Sequence, residues 1–253
     1  MEQLAADPVK PSLSRHHHAP SDGTIAAIAL PSGNLATDLR DATRALREQA
    51  ERSGISAQML RGSVSIEAYA LLLRNLLPVY RALEDGLERH RDAAGIRLVA
   101  RPALYRGAAI AHDLAALGFV PDRMPLLPGA VRYAHRIEEI AAAEPCRLIG
   151  HAWTRYIGDL SDGQILRKLL GRLLRVPPAA LTRYCFADIA DLHVYRAEYG
   201  LALSHAAYET DSEAIIDEAM QSFRLMIALS CAVEAAALEP ARALRTDILP
   251  SQI

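Results

Sequence analysis

The chain has 253 residues, of which 51% are hydrophobic and 23% are charged, and its formal net charge is −2. This length allows one large domain or two small ones, and we favour one. The near-neutral charge gives no general attraction for nucleic acid or for an acidic membrane surface. The hydrophobic residues are mainly Leu and Ala with few β-branched runs, which favours an all-α helical bundle over a sheet protein.

The cysteines indicate the compartment. Cys146, Cys185 and Cys231 lie far apart without a Cys-x-x-Cys spacing, which is typical of a reducing environment. The apolar run at residues 24–30 is too short to span a bilayer. The sequence therefore predicts a cytoplasmic protein that does not enter the membrane.

The ends of the chain differ from its middle. Residues 1–33 hold four prolines, a triple-histidine run and little periodicity, which predicts a flexible N-terminal arm. Helical periodicity begins at Asn34 and predicts one helical domain over residues 34–238. Residues 239–253 are predicted to be a loose tail.

Seven helices are predicted from the apolar spacing. Asn34 can cap the first helix, and Gly54 is expected to end it. Pro78 should kink the second helix without ending it, because the apolar pattern resumes beyond it. The predicted ranges are about 35–52, 65–91, 103–117, 127–142, 146–175, 187–206 and 211–237.

The stretch GHAWTRYIGDLSDGQIL, residues 150–166, lies inside the fifth predicted helix. A glycine in a helix interior costs roughly 1 kcal/mol relative to alanine, so Gly158 and Gly163 need a compensating role. Together with Ser161 they predict a bend at 158–163. The bare backbone there could lie against a flat ligand or admit a crossing helix, and the spacing alone favours neither.

This whole string resembles the heme oxygenase family, whose distal helix carries a run similar to HAYTRYLGDLSGGQ. Three further segments are similar to the family in order: LATDLRDATRALREQAE to its first helix, LLPVYRALEDGLER to its second and FRLMIAL to its last. The resemblance covers roughly residues 35–237. The matching residues of the string are His151, Ala152, Thr154, Arg155, Tyr156, Gly158, Asp159, Leu160, Ser161, Gly163 and Gln164.

The resemblance implies a single, mostly α-helical domain that holds heme between its first helix and a kinked distal helix. It also implies that heme is opened to biliverdin with release of carbon monoxide and iron, using O2 and electrons from a partner reductase. The heme supplies the reactive centre of such a reaction. The protein then supplies binding, orientation and protons.

Carried over by position, the resemblance assigns Gly158 and Gly163 to backbone lying close to heme. It assigns Asp159 to a hydrogen-bonded water network that delivers protons, with Tyr80 and Arg155 as supporting members. An ionised carboxylate held through water can promote a protonation without binding the metal. The other implied heme-contacting side chains are Trp153, His193, Arg196 and Phe223.

One departure from the family falls on the first helix, which normally supplies the proximal iron ligand from a run resembling ATKEVHTQAE. The ungapped match ATRALREQAE puts Arg47 in place of that histidine, and a guanidinium offers iron no lone pair. Arg40, Arg44 and Arg47 share one helix face. The resemblance implies that Arg40 and Arg44 neutralise heme propionates and that Arg47 adds to them. The alternative is a solvated face paired with neighbouring acids.

The second departure is Asp162, where the family usually has glycine. Its carboxylate could clash with heme, hydrogen-bond a distal water, or form an ion pair with Arg47 across a cleft without heme. His151 is a weak candidate for metal binding, because a helical histidine with partners is usually structural.

Two functions therefore stay open. The first is an enzyme that opens heme, supported by the retained Gly158, Asp159 and Gly163. The second is a carrier, sensor or regulator that binds heme, biliverdin or another tetrapyrrole without turnover, supported by Arg47 and Asp162, because iron ligation tunes the reactive centre. A di-iron bundle would use Glu-x-x-His pairs, which the sequence lacks.

Overall fold

The computed structural model describes residues 34–246, with side chains as far as residue 238. The predicted arm, residues 1–33, lies outside the described residues, as do residues 247–253 of the predicted tail. Within the described range the chain forms α-helices, short 3-10 turns and one π-helical turn, and no strand. The predicted all-α class is confirmed.

The α-helices of this range agree with the predicted ones to within a few residues in most cases. The exceptions are α2 and α4, which were not predicted, and α5 and α9, which begin four and five residues later than predicted. Their bounds are α1 Leu35–Glu51, α2 Gly54–Arg61, α3 Ile66–Arg89, α4 Ile96–Val99, α5 Gly107–Ala116, α6 Pro128–Ala143, α7 Leu148–Ala152, α8 Gly158–Leu174, α9 Leu192–Ala206 and α10 Ser212–Thr246.

The predicted cap at the start of α1 is confirmed, whereas the predicted end of α1 at Gly54 is wrong. The Asn34 side chain accepts a hydrogen bond from the backbone N–H of Ala36 at 3.0 Å. Gly54 does not end α1 but begins α2, with φ at +57°. A Cβ at this position would lie 2.4 Å from the backbone carbon of Ser230, so only glycine allows α2 to approach α10 this closely.

The centre of the bundle is α3, which is buried along most of its length and packs against α5, α6 and α10. The Ser65 hydroxyl caps its first turn by accepting from the N–H of Ala68 at 3.1 Å. Pro78 lies inside the helix and does not end it, as predicted. This rigid element carries Tyr80, which is fully buried.

The last helix, α10, is longer than predicted. It continues through Pro240 to Thr246, so residues 239–246 of the predicted loose tail are helical. Its segment Ser212–Leu238 has the length and apolar composition of a membrane-spanning helix. One face of this segment is buried against α1, α2 and α7, with Ile215 and Leu229 fully enclosed, so packing within the bundle accounts for the apolar residues of that face.

Candidate functional site

A cleft of about 850 Å³ lies between α1 and the irregular helix of residues 148–174. Residues of α2, α3, α9, α10 and the 3-10 turn Thr182–Tyr184 complete its lining. Its volume is within the range of small-molecule binding sites. Large apolar side chains that line the cleft are Met59, Leu72, Leu76, Trp153, Phe223 and Met226.

The irregular helix departs from α geometry one turn earlier than its glycines predicted. Five residues, Trp153–Ile157, form a π-helical turn between α7 and α8. Turns of this kind are rare and often occur at functional sites. From Gly158 onward α8 is regular. The departure from α geometry seen in this helix is therefore the π-helical turn at 153–157, and the bend at 158–163 stays a prediction.

The two glycines of the motif meet different surroundings. A Cβ built at Gly158 has no atom within 4 Å outside its own helix turn, so this position faces open space in the cleft. A Cβ at Gly163 would lie 3.2 Å from Cδ1 of Tyr184. Gly158 therefore leaves room for a ligand, whereas Gly163 leaves room for the packed Tyr184 ring.

A buried carboxylate stands on the α8 wall. Asp159 lines the cleft and is 8% exposed. The hydroxyl of Tyr80 donates to its Oδ2 at 2.6 Å. Burial and the nearby carboxylate raise the pKa of Tyr80 above its usual value, so this phenol remains a donor. Tyr80 itself does not line the cleft and acts on it through Asp159.

Sequence reasoning missed a second partner of this carboxylate. Arg183 lies in the 3-10 turn Thr182–Tyr184, and its Nη2 donates to Oδ1 of Asp159 at 3.1 Å. Burial opposes the charge of this guanidinium, but the oxygens of Tyr184, Tyr80 and Asp159 raise its pKa well above the usual value. The turn has no helical periodicity and lies outside the recognised string, so no sequence pattern singled out Arg183.

Arg155, predicted to support the same network, lines the cleft from the π-helical turn. Among the residues described, it forms no hydrogen bond with Asp159, and its Nε is buried without an acceptor. Burial opposes its charge, but the oxygens of Tyr133, Tyr80 and Asp159 raise its pKa. The structure therefore leaves Arg155 near the carboxylate while Arg183 takes the direct contact.

The basic face of α1 is only partly directed to the cleft. Arg40 and Arg47 line the cleft. Arg44 does not, because its guanidinium pairs with Asp41 on the exposed side of the helix. Arg44 therefore resembles the alternative of a solvated, ion-paired side chain, and its contact with a ligand stays a prediction.

Arg47 pairs across the cleft with the other departing residue. Its Nη2 lies 3.0 Å from Oδ2 of Asp162, and its Nε lies 3.2 Å from Oε1 of Glu51. The side chains of Arg47 and Asp162 are each about half exposed. Of the three alternatives considered for Asp162, the structure shows the ion pair.

The remaining predicted contacts lie on α9, α10 and the π-helical turn. Arg196 donates to the hydroxyl of Ser161 at 3.2 Å, and the exposed His193 lies nearby on the same helix. Trp153 and Phe223 pack edge to face, with ring centroids 6.4 Å apart. All four predicted residues line the cleft.

His151 does not belong to the cleft. It is fully buried, and its Nε2 lies 3.0 Å from Oε1 of Glu218 on α10. Burial lowers the pKa of this imidazole, although Glu218 opposes the shift. This position and hydrogen bond favour a structural role for His151, and metal binding by it stays a prediction. Over the described part of the chain, no group of three or more potential metal-ligating side chains is found.

Comparison with known proteins gives consistent matches. The family model described as heme oxygenase matches residues 33–231. Heme oxygenase 1 of Nostoc sp. is 34% identical over 196 residues, which are 76% of this chain and 82% of that protein. Human heme oxygenase 1 is 31% identical over 203 residues, which are 78% of this chain and 70% of that protein.

Solved structures match at the level of the fold and of the sequence. The heme oxygenase structure from Leptospira interrogans has a TM-score of 0.75 and 31% identity, covering 79% of this chain and 100% of that one. Heme oxygenase-1 from Synechocystis sp., solved in complex with heme, has a TM-score of 0.75 and 27% identity, covering 86% and 100%.

Proposed function

This chain belongs to the heme oxygenase family, and we propose on that basis that its cleft binds heme. The proposed reaction opens heme to biliverdin with release of carbon monoxide and iron, using O2 and electrons from a partner reductase. We assign this function to residues 34–238 and to the cytoplasm, with the arm and the tail outside the functional domain.

The cleft has the surfaces that a flat ring with acidic edges needs. The open position at Gly158 allows close approach to the α8 backbone, and Trp153 and Phe223 offer apolar contact. Arg40 and Arg196 offer cations to two carboxylates. Heme held there would supply the reactive iron centre.

One observation carries the enzymatic proposal: Asp159 is buried at the cleft wall with a fixed partner on each oxygen. Tyr80 occupies Oδ2 and Arg183 occupies Oδ1. A carboxylate has about four acceptor positions, so two remain for water on the cleft side. We propose that water bound there passes protons to the reacting centre, with Arg155 stabilising negative charge nearby.

Hemin binding followed by reduction tests this proposal. Purified protein is titrated with hemin while the Soret band is followed, and ascorbate or a reductase is then supplied in air. We expect a saturable Soret band that decays as biliverdin absorbance grows, and slower decay in Asp159→Asn. Absence of hemin binding by the wild-type protein would reject the proposed function.

The Arg47–Asp162 ion pair favours a second function, a tetrapyrrole-binding protein without turnover. We propose that Arg47 occupies the position of the family's proximal histidine, where a guanidinium cannot ligate iron. Its partner Asp162 adds a carboxylate to the opposite wall. This pair offers one donor and one acceptor to a ligand such as biliverdin, whose lactam oxygens and pyrrole N–H groups complement both. A Soret band that persists under reductant, together with tight biliverdin binding, would support this second function.

A further inference from the structure

We infer that Arg183 is the positioning residue that holds the Asp159 carboxylate in place and compensates its charge; this inference rests on the proposed function of the cleft. The evidence is the direct contact of Nη2 with Oδ1 at 3.1 Å, between side chains that are 6% and 10% exposed. A buried carboxylate without a cation would be costly, so the contact is strongly favoured once both groups are buried.

Hydrogen bonds to α5 hold the 3-10 turn that carries Arg183. Asp113 of α5 is fully buried, and its carboxylate accepts from the backbone N–H groups of Thr182 at 2.7 Å and Arg183 at 2.9 Å. The Thr182 hydroxyl donates to the same carboxylate at 2.5 Å. Three hydrogen bonds to one rigid acceptor leave the base of the Arg183 side chain little freedom.

Arg106 holds the segment that follows this turn. The buried Arg106 donates to the carbonyl of Cys185 at 2.6 Å, and its guanidinium stacks on the Phe186 ring at 4.1 Å from the centroid. Its other donors reach the carbonyls of Ala103 and Leu104. Arg106 therefore supports the segment that follows Arg183, and each of its three guanidinium nitrogens donates to a backbone carbonyl.

Several charged or titratable side chains surround Asp159. Tyr184, next to Arg183 in the 3-10 turn, is a buried phenol whose pKa burial and the Asp159 charge raise. Tyr80 from α3 donates one hydrogen bond, Arg155 from the π-helical turn stays beyond ion-pair distance, and Arg106 is engaged by carbonyls. Arg183 is the one cation within 4 Å of the carboxylate among the residues described. Removing it would leave a buried anion facing the cleft.

Two variants and a control separate charge from packing. Arg183→Met keeps most of the side-chain volume without the charge, Arg183→Lys keeps the charge, and Arg91→Met removes an exposed arginine that pairs with Glu88. The readout is the pH midpoint of the acid–alkaline change in the Soret band of the hemin complex. Deprotonating a water at this wall creates an anion, which Arg183 stabilises and Asp159 opposes.

We expect the midpoint to rise by on the order of one pH unit in Arg183→Met. Arg183→Lys should restore most of the wild-type value, and Arg91→Met should leave it unchanged. A wild-type midpoint in a folded Arg183→Met protein would overturn the inference. Failure of the wild-type protein to bind hemin would instead reject the proposed function.

A measurement without hemin tests the coupling between Arg183 and Asp159 independently of ligand binding. Urea unfolding of the wild type, Arg183→Met, Asp159→Asn and the double variant forms a cycle. We expect Arg183→Met to change the unfolding equilibrium constant at least tenfold less in the Asp159→Asn background. Additive effects would mean that Arg183 only fills space. If Arg183→Met does not fold, Arg183→Gln takes its place in both experiments.

Discussion

The guanidinium of Arg47 and the carboxylate of Asp162 form a 3.0 Å ion pair that joins α1 to α8 across the cleft. The sequence motifs predict that these two residues depart from the family pattern, and in the structure they contact each other. Both side chains are half exposed, so the pair stabilises the protein by at most about 1 kcal/mol. A ligand can therefore displace it at little cost.

Arg47→His should place an imidazole on α1 where the family ligand is expected. We predict that the hemin complex of this variant shows a shifted Soret band and faster loss of heme under reductant than the wild type. Arg47→Leu breaks the same ion pair without supplying a ligand and serves as the control. Identical spectra for the two variants would contradict the assigned alignment of α1.

Asp162→Gly should strengthen hemin binding. The change removes a carboxylate from the α8 wall and frees Arg47 to pair with an acidic edge of the ligand. Because the lost pair is half exposed, we expect a decrease in Kd of about fivefold or less, measured by Soret titration at low salt. Asp41→Asn breaks a pair on the far side of α1 and should have no effect. Weaker binding in Asp162→Gly would show that the carboxylate contacts the ligand.

Tyr80→Phe should destabilise the protein and slow turnover. The variant removes the donor to Oδ2 of Asp159 and leaves a buried carboxylate short of one hydrogen bond. The expected loss is about 1–3 kcal/mol in the free energy of unfolding, measured in urea. Tyr208→Phe changes an exposed tyrosine and should be neutral. An unchanged midpoint in Tyr80→Phe would mean that water replaces the hydroxyl.

Acid stability should depend on Glu218. Burial opposes its ionisation, but hydrogen bonds from His151 and Arg136 lower its pKa from 4.5 to about 2. The folded-state pKa lies below the unfolded one, so the ionised group adds stability above about pH 4.5 that is lost as the pH falls toward 2. The contribution at neutral pH is up to roughly 3 kcal/mol.

Unfolding measured from pH 7 to pH 2 tests this dependence. Glu218→Gln should be less stable at pH 7 and should lose less stability below pH 5 than the wild type. Glu139→Gln, which removes an exposed neighbour of Arg136, is the matched control. Parallel pH curves for the wild type and Glu218→Gln would contradict the prediction.

The sequence predicted most of the helices because their apolar spacing and caps are local, as at Asn34 and Ser65. Through one specific string it also placed the residues of one cleft wall, from Trp153 to Gly163. It could not predict α2, because a glycine that begins a helix at positive φ looks the same as one that ends a helix. The role of Arg183 could not be predicted for a different reason. It depends on a contact with Asp159, which is distant in the sequence, and helical periodicity does not indicate such contacts.

The π-helical turn at Trp153–Ile157 makes the length of this segment a functional constraint. A one-residue deletion there would tend to restore regular α geometry and would close the widened turn. The backbone that carries Trp153 and Arg155 at the cleft wall would then shift even though both side chains were unchanged. Gaps in this stretch should therefore abolish the site more reliably than most substitutions within it.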